Sequence, residues 1–456
     1  MTCIPLSRLL ADMRPAEAPV ARRGEATLTL GRLRGEVAHN VTRLAARRPR
    51  SVLLAAEDSF AFAVGLFAAL HAGAAVALPS NTRPGTIAAL APAFDALVSD
   101  VPRDGVDAFV LEAVCAGDTL APLDAGDCRL DVFTSGSTGE PKRVVKSLAM
   151  VEAETEVLER LWGREAEGAD SVATVTHQHV FGLTFGLAWS LAAGRRFSAT
   201  VHHTWEGLFA ALTGHAVIVS SPAHLTRLAG LAPAPASHRP RLVFTAGAPL
   251  PPGAALATER LFGRAPVEIF GSTETGAIAW RRGRGQPGLW RALPGVAVEP
   301  GPDGLMRVAT PFAGDAPIEL ADRVEVAADG RLRFAGRADG VLKIEGKRAS
   351  LAELERALCA LPAVAEAAVV VLPGATPLLG AAVVPSALGR AELEARGPFR
   401  FARALRGELA RLHEPAVLPR RWRFPLALPI DAMGKRRRDD LVALFVPEPA
   451  RVRRRA

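Results

Sequence analysis

Four segments carry residue types suited to chemistry on a nucleotide. The first is FTSGSTGEPK at 133–142. It follows the apolar run LDVF, so a strand feeds a loop of Gly, Ser and Thr that closes on Pro-Lys. Gly136 and Gly139 let backbone N–H groups turn toward a phosphate, and the hydroxyls of Thr134, Ser135, Ser137 and Thr138 add donors. Lys142 adds positive charge. The Walker pattern G-x-x-x-x-G-K-[ST] cannot be placed on this segment. A plain flexible turn would not need the strand before it or the Pro-Lys after it.

The second segment is FGSTETG at 270–276, again after an apolar run. Glu274 sits among Ser272, Thr273 and the glycines, beginning with Gly271. One carboxylate surrounded by oxygen donors suits Mg²⁺ on a nucleotide, since that ion takes one or two carboxylates plus phosphate oxygens. A turn with a helix N-cap would use the same residues. The third segment runs from LAD at 320–322 to GRADGVLKIEG at 336–346. Asp322 is a candidate acceptor for a ribose diol, and Arg337 a candidate for ribose or phosphate. A charged hairpin face is the other reading. The fourth is PIDAMGK at 429–435, which places Lys435 on a glycine turn.

The elements that position these segments follow from periodicity. Short apolar runs at 51–56, 74–78, 130–134, 216–220, 241–247 and 267–271 read as buried strands. Amphipathic stretches at 150–162 and 223–231 lie between them as helices. This is an α/β pattern with largely parallel sheets, in which ligands sit where strands end. The apolar stretch 60–79 reads as a buried helix, a turn and a strand rather than a membrane span, with Glu57 and Asp58 at the helix start. Past residue 300 the pattern shortens to hairpins with Asp-Gly turns at 303–304 and 329–330. A helix at 351–361 follows, opened by Ser350 and Glu353 as a capping box, then a strand at 367–372. A domain junction is expected near Asp339, and no internal repeat is seen.

Together and in this order, the four segments resemble the adenylate-forming superfamily: acyl-CoA synthetases, aryl-CoA ligases, peptide-synthetase adenylation domains and luciferases. The resemblance spans roughly residues 25–440. It implies a large N-terminal domain, 1–338, of mostly parallel sheets flanked by helices with a small β portion, and a smaller mobile α+β lid domain, 339–456. It implies that Thr134 to Lys142, through Thr138 and Gly139, are the phosphate loop. Gly247, Ala248 and Pro249 match the segment beside adenine and the acyl pocket. Phe270, Gly271, Ser272, Thr273 and Glu274 match the residues at adenine, phosphates and Mg²⁺. Asp322 and Arg337 match the ribose site, and Asp339 the hinge. Lys343 and Gly346 bound the loop that meets a pantetheine arm. Lys435 matches the lysine that bridges carboxylate and phosphate. His179, in HVFGL, matches the mouth of the acyl pocket, with Phe181 and Phe185 behind it. For these aromatics and Trp189, plain core packing is an equal reading.

The chain departs from the family pattern in three places. Phe270 stands where the family has Tyr, which keeps stacking but loses a hydroxyl. Leu-Ala-Asp322 replaces Thr-Gly-Asp and keeps the carboxylate. The segment before the phosphate loop is short.

The resemblance implies an ATP- and Mg²⁺-dependent acid–thiol ligase. It would join a small aromatic or fatty acid to AMP and pass the acyl group to coenzyme A. A ligase loading the phosphopantetheine of an acyl carrier protein is one alternative, and a nucleotide-binding protein without catalysis is another. The bulk composition fits such an enzyme. The chain has 456 residues, 49% hydrophobic and 22% charged, enough for two domains with cores of their own. Its four cysteines form no CxxC pair or Cys/His cluster, so neither zinc nor a disulfide framework is indicated and a cytoplasmic location is expected. The net charge of +8 comes from arginines spread along the chain, so no nucleic-acid partner is expected. The N-terminal segment lacks the continuous apolar run of a secretion signal.

Overall fold

Strands buried on both faces must be apolar almost throughout, and the run AVIVS at 216–220 is buried at every position. That pattern organises the first of two compact units, which among the described residues lies within 1–340; the second lies within 341–456. The computed structural model describes the chain apart from residues 1–2, 12, 104–105, 116–118, 135–140, 213, 229, 234, 284–288, 303, 338–341, 345–346, 350, 374–377, 430–437 and 446–456. For 335–337, 342–344, 347–349, 352 and 438–439 it describes the backbone alone. The expected functions of Ser135 to Gly139, Thr138 among them, and of Asp339, Gly346 and Lys435 therefore fall outside the described residues.

The first unit holds two sheets. One contains β1 (Ser51–Leu54), β2 (Ala75–Leu78), β3 (Ala96–Ser99), β4 (Ala108–Val110), β5 (Arg129–Thr134) and β6 (Lys142–Ser147), in the order β4-β3-β1-β2-β5-β6. All neighbours are parallel except β5 and β6, which pair antiparallel with Thr134 opposite Lys142. The other sheet has a parallel middle of β7 (Asp170–Ala173), β8 (Ala216–Ser220), β9 (Leu242–Ala246) and β10 (Val267–Ser272). It turns antiparallel at β11 (Gly276–Arg282) and continues through β12 (Leu289–Ala292), β15 (Leu332–Arg337), β14 (Ile318–Val326) and β13 (Leu305–Ala309). The strands at 305–337 are the hairpin region expected past residue 300, but the pairing already turns antiparallel at 276.

Two helices set the positions of these strands. In α1 (Ser59–His71), Asp58 caps the first turn by accepting from the amides of Phe60 and Ala61. In α2 (Leu148–Trp162), Ser147 caps by accepting from Met150. The apolar stretch from 60 is thus a buried helix followed by β2. Among the described residues, no helix is long and apolar enough to cross a membrane.

One expected helix is cut short. The stretch 223–231 forms a single turn at Pro222–Leu225. The indole of Trp205 donates to the His224 carbonyl at 3.0 Å, and the Thr226 hydroxyl to the Ala223 carbonyl at 3.1 Å. These side chains compete for carbonyls that a longer helix would use.

The second unit pairs β16 (Val364–Leu372) antiparallel with β17 (Leu378–Pro385), and Arg421–Arg423 runs parallel beside β17. Against this sheet pack α3 (Leu351–Cys359) and α4 (Ala387–Leu409), through Leu354, Leu358, Val369, Val383, Phe401 and Leu405.

In the first unit, a buried imidazole ties one sheet to the other. His177, just past β7, lies 2.9 Å from Ser59 Oγ and 3.0 Å from the Ala56 carbonyl, with its ring 4.3 Å from that of Phe62. A carbonyl only accepts, so Nε2 carries the proton and Nδ1 accepts from Ser59. Burial holds the His177 pKa down, and burial takes His71 to about 4. An unfolded histidine binds its proton near pH 6.5. With both folded pKa values depressed, stability is fully present above about 6.5 and is lost as the pH falls below it. We expect the thermal unfolding midpoint to drop between about pH 7 and pH 5, and His177→Gln to flatten the decline. An unchanged slope in that variant would remove this account.

Candidate active site

The Glu274 carboxylate owes its position to a tight three-residue tip. Ser272 and Gly276 are register partners at the end of β10 and β11, leaving Thr273, Glu274 and Thr275 to turn the chain. Hydroxyls lock the turn: Ser272 Oγ and Thr275 Oγ1 are 3.0 Å apart, and Ser272 Oγ accepts from the Thr275 amide at 3.2 Å. Both framing glycines are required. A Cβ on Gly271 would sit 2.4 Å from the Gly276 carbonyl oxygen, and Gly276 has φ of 72°.

Strand β6 meets this tip with two lysines. Lys142 Nζ lies 2.6 Å from Glu274 Oε1, joining residues 132 positions apart in the chain. Lys142 is half exposed and the Glu274 side chain only 13% exposed, so this ion pair opens toward solvent on the lysine side. Lys146 is buried; its ammonium donates to the Phe312 carbonyl at 2.8 Å and to the Glu274 carbonyl at 3.3 Å. Burial pulls the Lys146 pKa down, while the carboxylates of Glu154 and Glu274 pull it back up. Glu154, buried on α2, accepts from the Ala277 amide at 2.9 Å. Burial raises its pKa, against the opposing pull of Lys146 and that amide.

The remaining expected site residues fall on several elements. Thr134 ends β5, and its hydroxyl is buried without a partner among the described residues. Gly247, Ala248 and Pro249 follow directly on β9, whose Ala246 is paired with Ile269 of β10. Phe270 stacks on Phe334 with centroids 3.8 Å apart and an interplanar angle of 21°. Asp322 and Arg337 are register partners on β14 and β15, so the backbone sets these positions side by side. Lys343 lies in the second unit on the short strand Leu342–Ile344. His179 is exposed, whereas Phe181 and Phe185 are buried with centroids 4.8 Å apart. Phe185 also contacts Phe244 edge-on at 5.2 Å, within the core that holds Trp162 and Trp189.

A family model described as AMP-binding enzyme matches residues 82–301. A 4-coumarate–CoA ligase of Rhodobacter capsulatus is 32% identical over 312 residues, which is 67% of this chain and 73% of that ligase. The chain belongs to the AMP-binding enzyme family. Among AMP-binding enzymes it is of the acyl- and aryl-CoA ligase type. A second 4-coumarate–CoA ligase, from Cereibacter sphaeroides, is 28% identical over 312 residues and is covered over 70% of its length. A solved malonyl-CoA ligase with methylmalonyl-CoA and AMP bound superposes with a TM-score of 0.78, at 25% identity over 93% of this chain and all of that one.

Within this AMP-binding enzyme, sequence reasoning singled out Lys142 and Glu274 but passed over Lys146 and Glu154. A partial signal was there. Lys146 shares a strand face with Lys142 and Val144, since side chains alternate with period two. Glu154 lies on the buried helix face of Val151 and Leu158. What was absent was any hint that both reach the same distant turn. The turn itself is testable through Gly276, where a Cβ would come within 2.9 Å of Glu154 Oε2. Gly276→Ala should lower the unfolding free energy by roughly 1–3 kcal/mol, the cost of a left-handed non-glycine residue. A denaturant midpoint equal to wild type would show that the turn tolerates another conformation.

Proposed function

We propose that this AMP-binding enzyme activates a small aromatic or fatty carboxylic acid with ATP and transfers the acyl group to the thiol of coenzyme A. The observation that carries the reading is the meeting of Lys142 with Glu274 beyond the ends of β5 and β10. On this reading a phosphate chain with its metal ion would lie against that cation and carboxylate. A carboxylate oxygen attacks the α-phosphorus of ATP, the bond to the β-phosphate breaks, and pyrophosphate leaves. The thiol sulfur then attacks the acyl carbon, AMP leaves with the bonding electrons, and the thiol proton passes to solvent.

The chain's task in the first step is to bring two anions together and neutralise them. Lys142 and Lys435 supply positive charge. Asp322 and Arg337 hold the ribose, and Phe270 with Gly247 to Pro249 borders the adenine. Thr134 to Gly139 contact phosphates, with Thr273 on the other side. No group of three His, Cys, Asp or Glu side chains gathers into a metal cage among the described residues. A single carboxylate with neighbouring hydroxyls fits Mg²⁺ that is held largely by ATP, with Glu274 as the protein ligand. Bound there, the ion would neutralise developing phosphate charge.

The acid's chemistry is read from the wall behind His179. Phe181, Phe185 and Phe244 are buried in one aromatic core, so a pocket bordered by that core offers no partner for an α-ammonium group, which favours aromatic or fatty acids over amino acids. The four cysteines are all unpaired, which supports a reducing compartment such as the cytoplasm. For the second step, residues near Lys343 and Gly346 would receive the pantetheine arm after rotation about Asp339.

An acid panel assayed for pyrophosphate release, with coenzyme A and separately with a phosphopantetheinyl carrier protein, tests this function. We expect release with an aromatic or fatty acid and thioester formation on coenzyme A. Thioester on the carrier alone would make that protein the acceptor, and no release with any acid would leave nucleotide binding without catalysis. Lys435→Ala is expected to lower acyl-adenylate formation by about three powers of ten, while sparing thioester formation from supplied acyl-adenylate. Equal loss of both half-reactions would remove the role given to Lys435.

A further inference from the structure

We propose that Lys146 and Glu154 are positioning residues for adenylation: together they grip the Thr273–Thr275 tip from beneath and hold Glu274 and Lys142 in the geometry that accepts MgATP. The inference rests on the ligase reading above and adds two residues that, on that reading, touch neither substrate nor metal.

The geometry of the grip carries the argument. Lys146 takes hold of the tip at the Glu274 carbonyl, and Glu154 takes hold three residues later at the Ala277 amide. Both ends of the turn are thereby fixed to one continuous segment, β6 running into α2. That same segment begins with Lys142, whose ammonium reaches the Glu274 carboxylate. One lysine of β6 therefore addresses the backbone of residue 274 and the other its side chain. The third body in the contact is Phe312, fully buried, whose carbonyl accepts the shorter Lys146 bond and whose amide donates to Thr310 Oγ1 at 3.2 Å.

Stability alone is a poor reason for this arrangement. A buried ammonium and a buried carboxylate each lose hydration, and a packed apolar pair of similar volume is commonly as stable or more so. What the charged pair provides, and an apolar pair does not, is direction: a cation aimed at two carbonyls, and an anion aimed at one amide. Gly276 fits the same account, because its missing Cβ is what allows Glu154 Oε2 to approach.

The test is the double variant Lys146→Met, Glu154→Gln, which removes both charges at once and leaves no uncompensated ion in the core. Three quantities are measured on the full chain. They are the unliganded melting temperature, the rise in that temperature with ATP across a Mg²⁺ titration, and the two half-reactions. We expect a folded protein whose melting gain with MgATP is largely lost. Half-saturating Mg²⁺ for pyrophosphate release should rise about tenfold, as for a misplaced binding group. Thioester formation from supplied acyl-adenylate should stay within about twofold. A double variant with the wild-type Mg²⁺ titration and the wild-type MgATP melting gain would overturn the proposal. If the double variant does not fold, Lys146→Met alone serves, since it releases the Glu274 carbonyl while buried Glu154 can take up a proton. A rise of about threefold in half-saturating Mg²⁺ supports the proposal, and no change overturns it. Wild-type protein that releases no pyrophosphate with any acid counts against the ligase reading instead. The MgATP melting gain then still tests the grip.

Discussion

A buried ammonium must find oxygens to replace the water it has lost, and at Lys146 that requirement draws three distant chain segments to one point. The nitrogen carried by its strand donates to the tip at Glu274 and to the turn at Phe312. Desolvation penalises the charge, so the contact forms only when all three are in place. Glu154 adds the opposite charge and a bond to the far side of the same tip. Within the first unit, this is where the edge strand of one large sheet meets a hairpin of the other. The Lys142–Glu274 pair follows from that meeting.

The pairing of Lys142 with Glu274 rests on a very tight turn. The glycines at 271 and 276 allow a turn too tight for side chains, and the hydroxyls of Ser272 and Thr275 hold it closed from within. Glu274 and Lys142 are then presented as a pair with the lysine side open to solvent. The antiparallel hairpins that follow bring Asp322 opposite Arg337 and lay Phe334 against Phe270. Glu274 stands just beyond the end of β10, whereas Phe270, Asp322 and Phe334 lie within paired strands and are set by the register of the sheet.

Much of this was legible in the primary structure. Apolar runs bounded by small residues located β1, β2, β5, β8, β9 and β10 to within a residue or two, because a strand covered on both faces tolerates little else. The Asp58 cap lies at the helix start expected there, whereas α2 begins two residues before the expected stretch at 150, capped by Ser147. The order of the four motifs was enough to point to the family. The failure at 223–231 is equally physical: an amphipathic pattern states which face is apolar, but not that Trp205 will claim the His224 carbonyl from nineteen residues away.

The sequence by itself determined local periodicity, turn chemistry and the residue types available for catalysis, since these depend on neighbours within a few positions. It left open whether Phe181 and Phe185 were core or pocket, and packing against Phe244 and Trp189 makes them part of one aromatic core. Only the tertiary structure decided that Lys142 faces Glu274, and that Lys146 and Glu154 stand beneath it. Those pairings join residues more than a hundred positions apart. Their register is set by the packing of two sheets and a helix together, a collective property that no short-range pattern encodes.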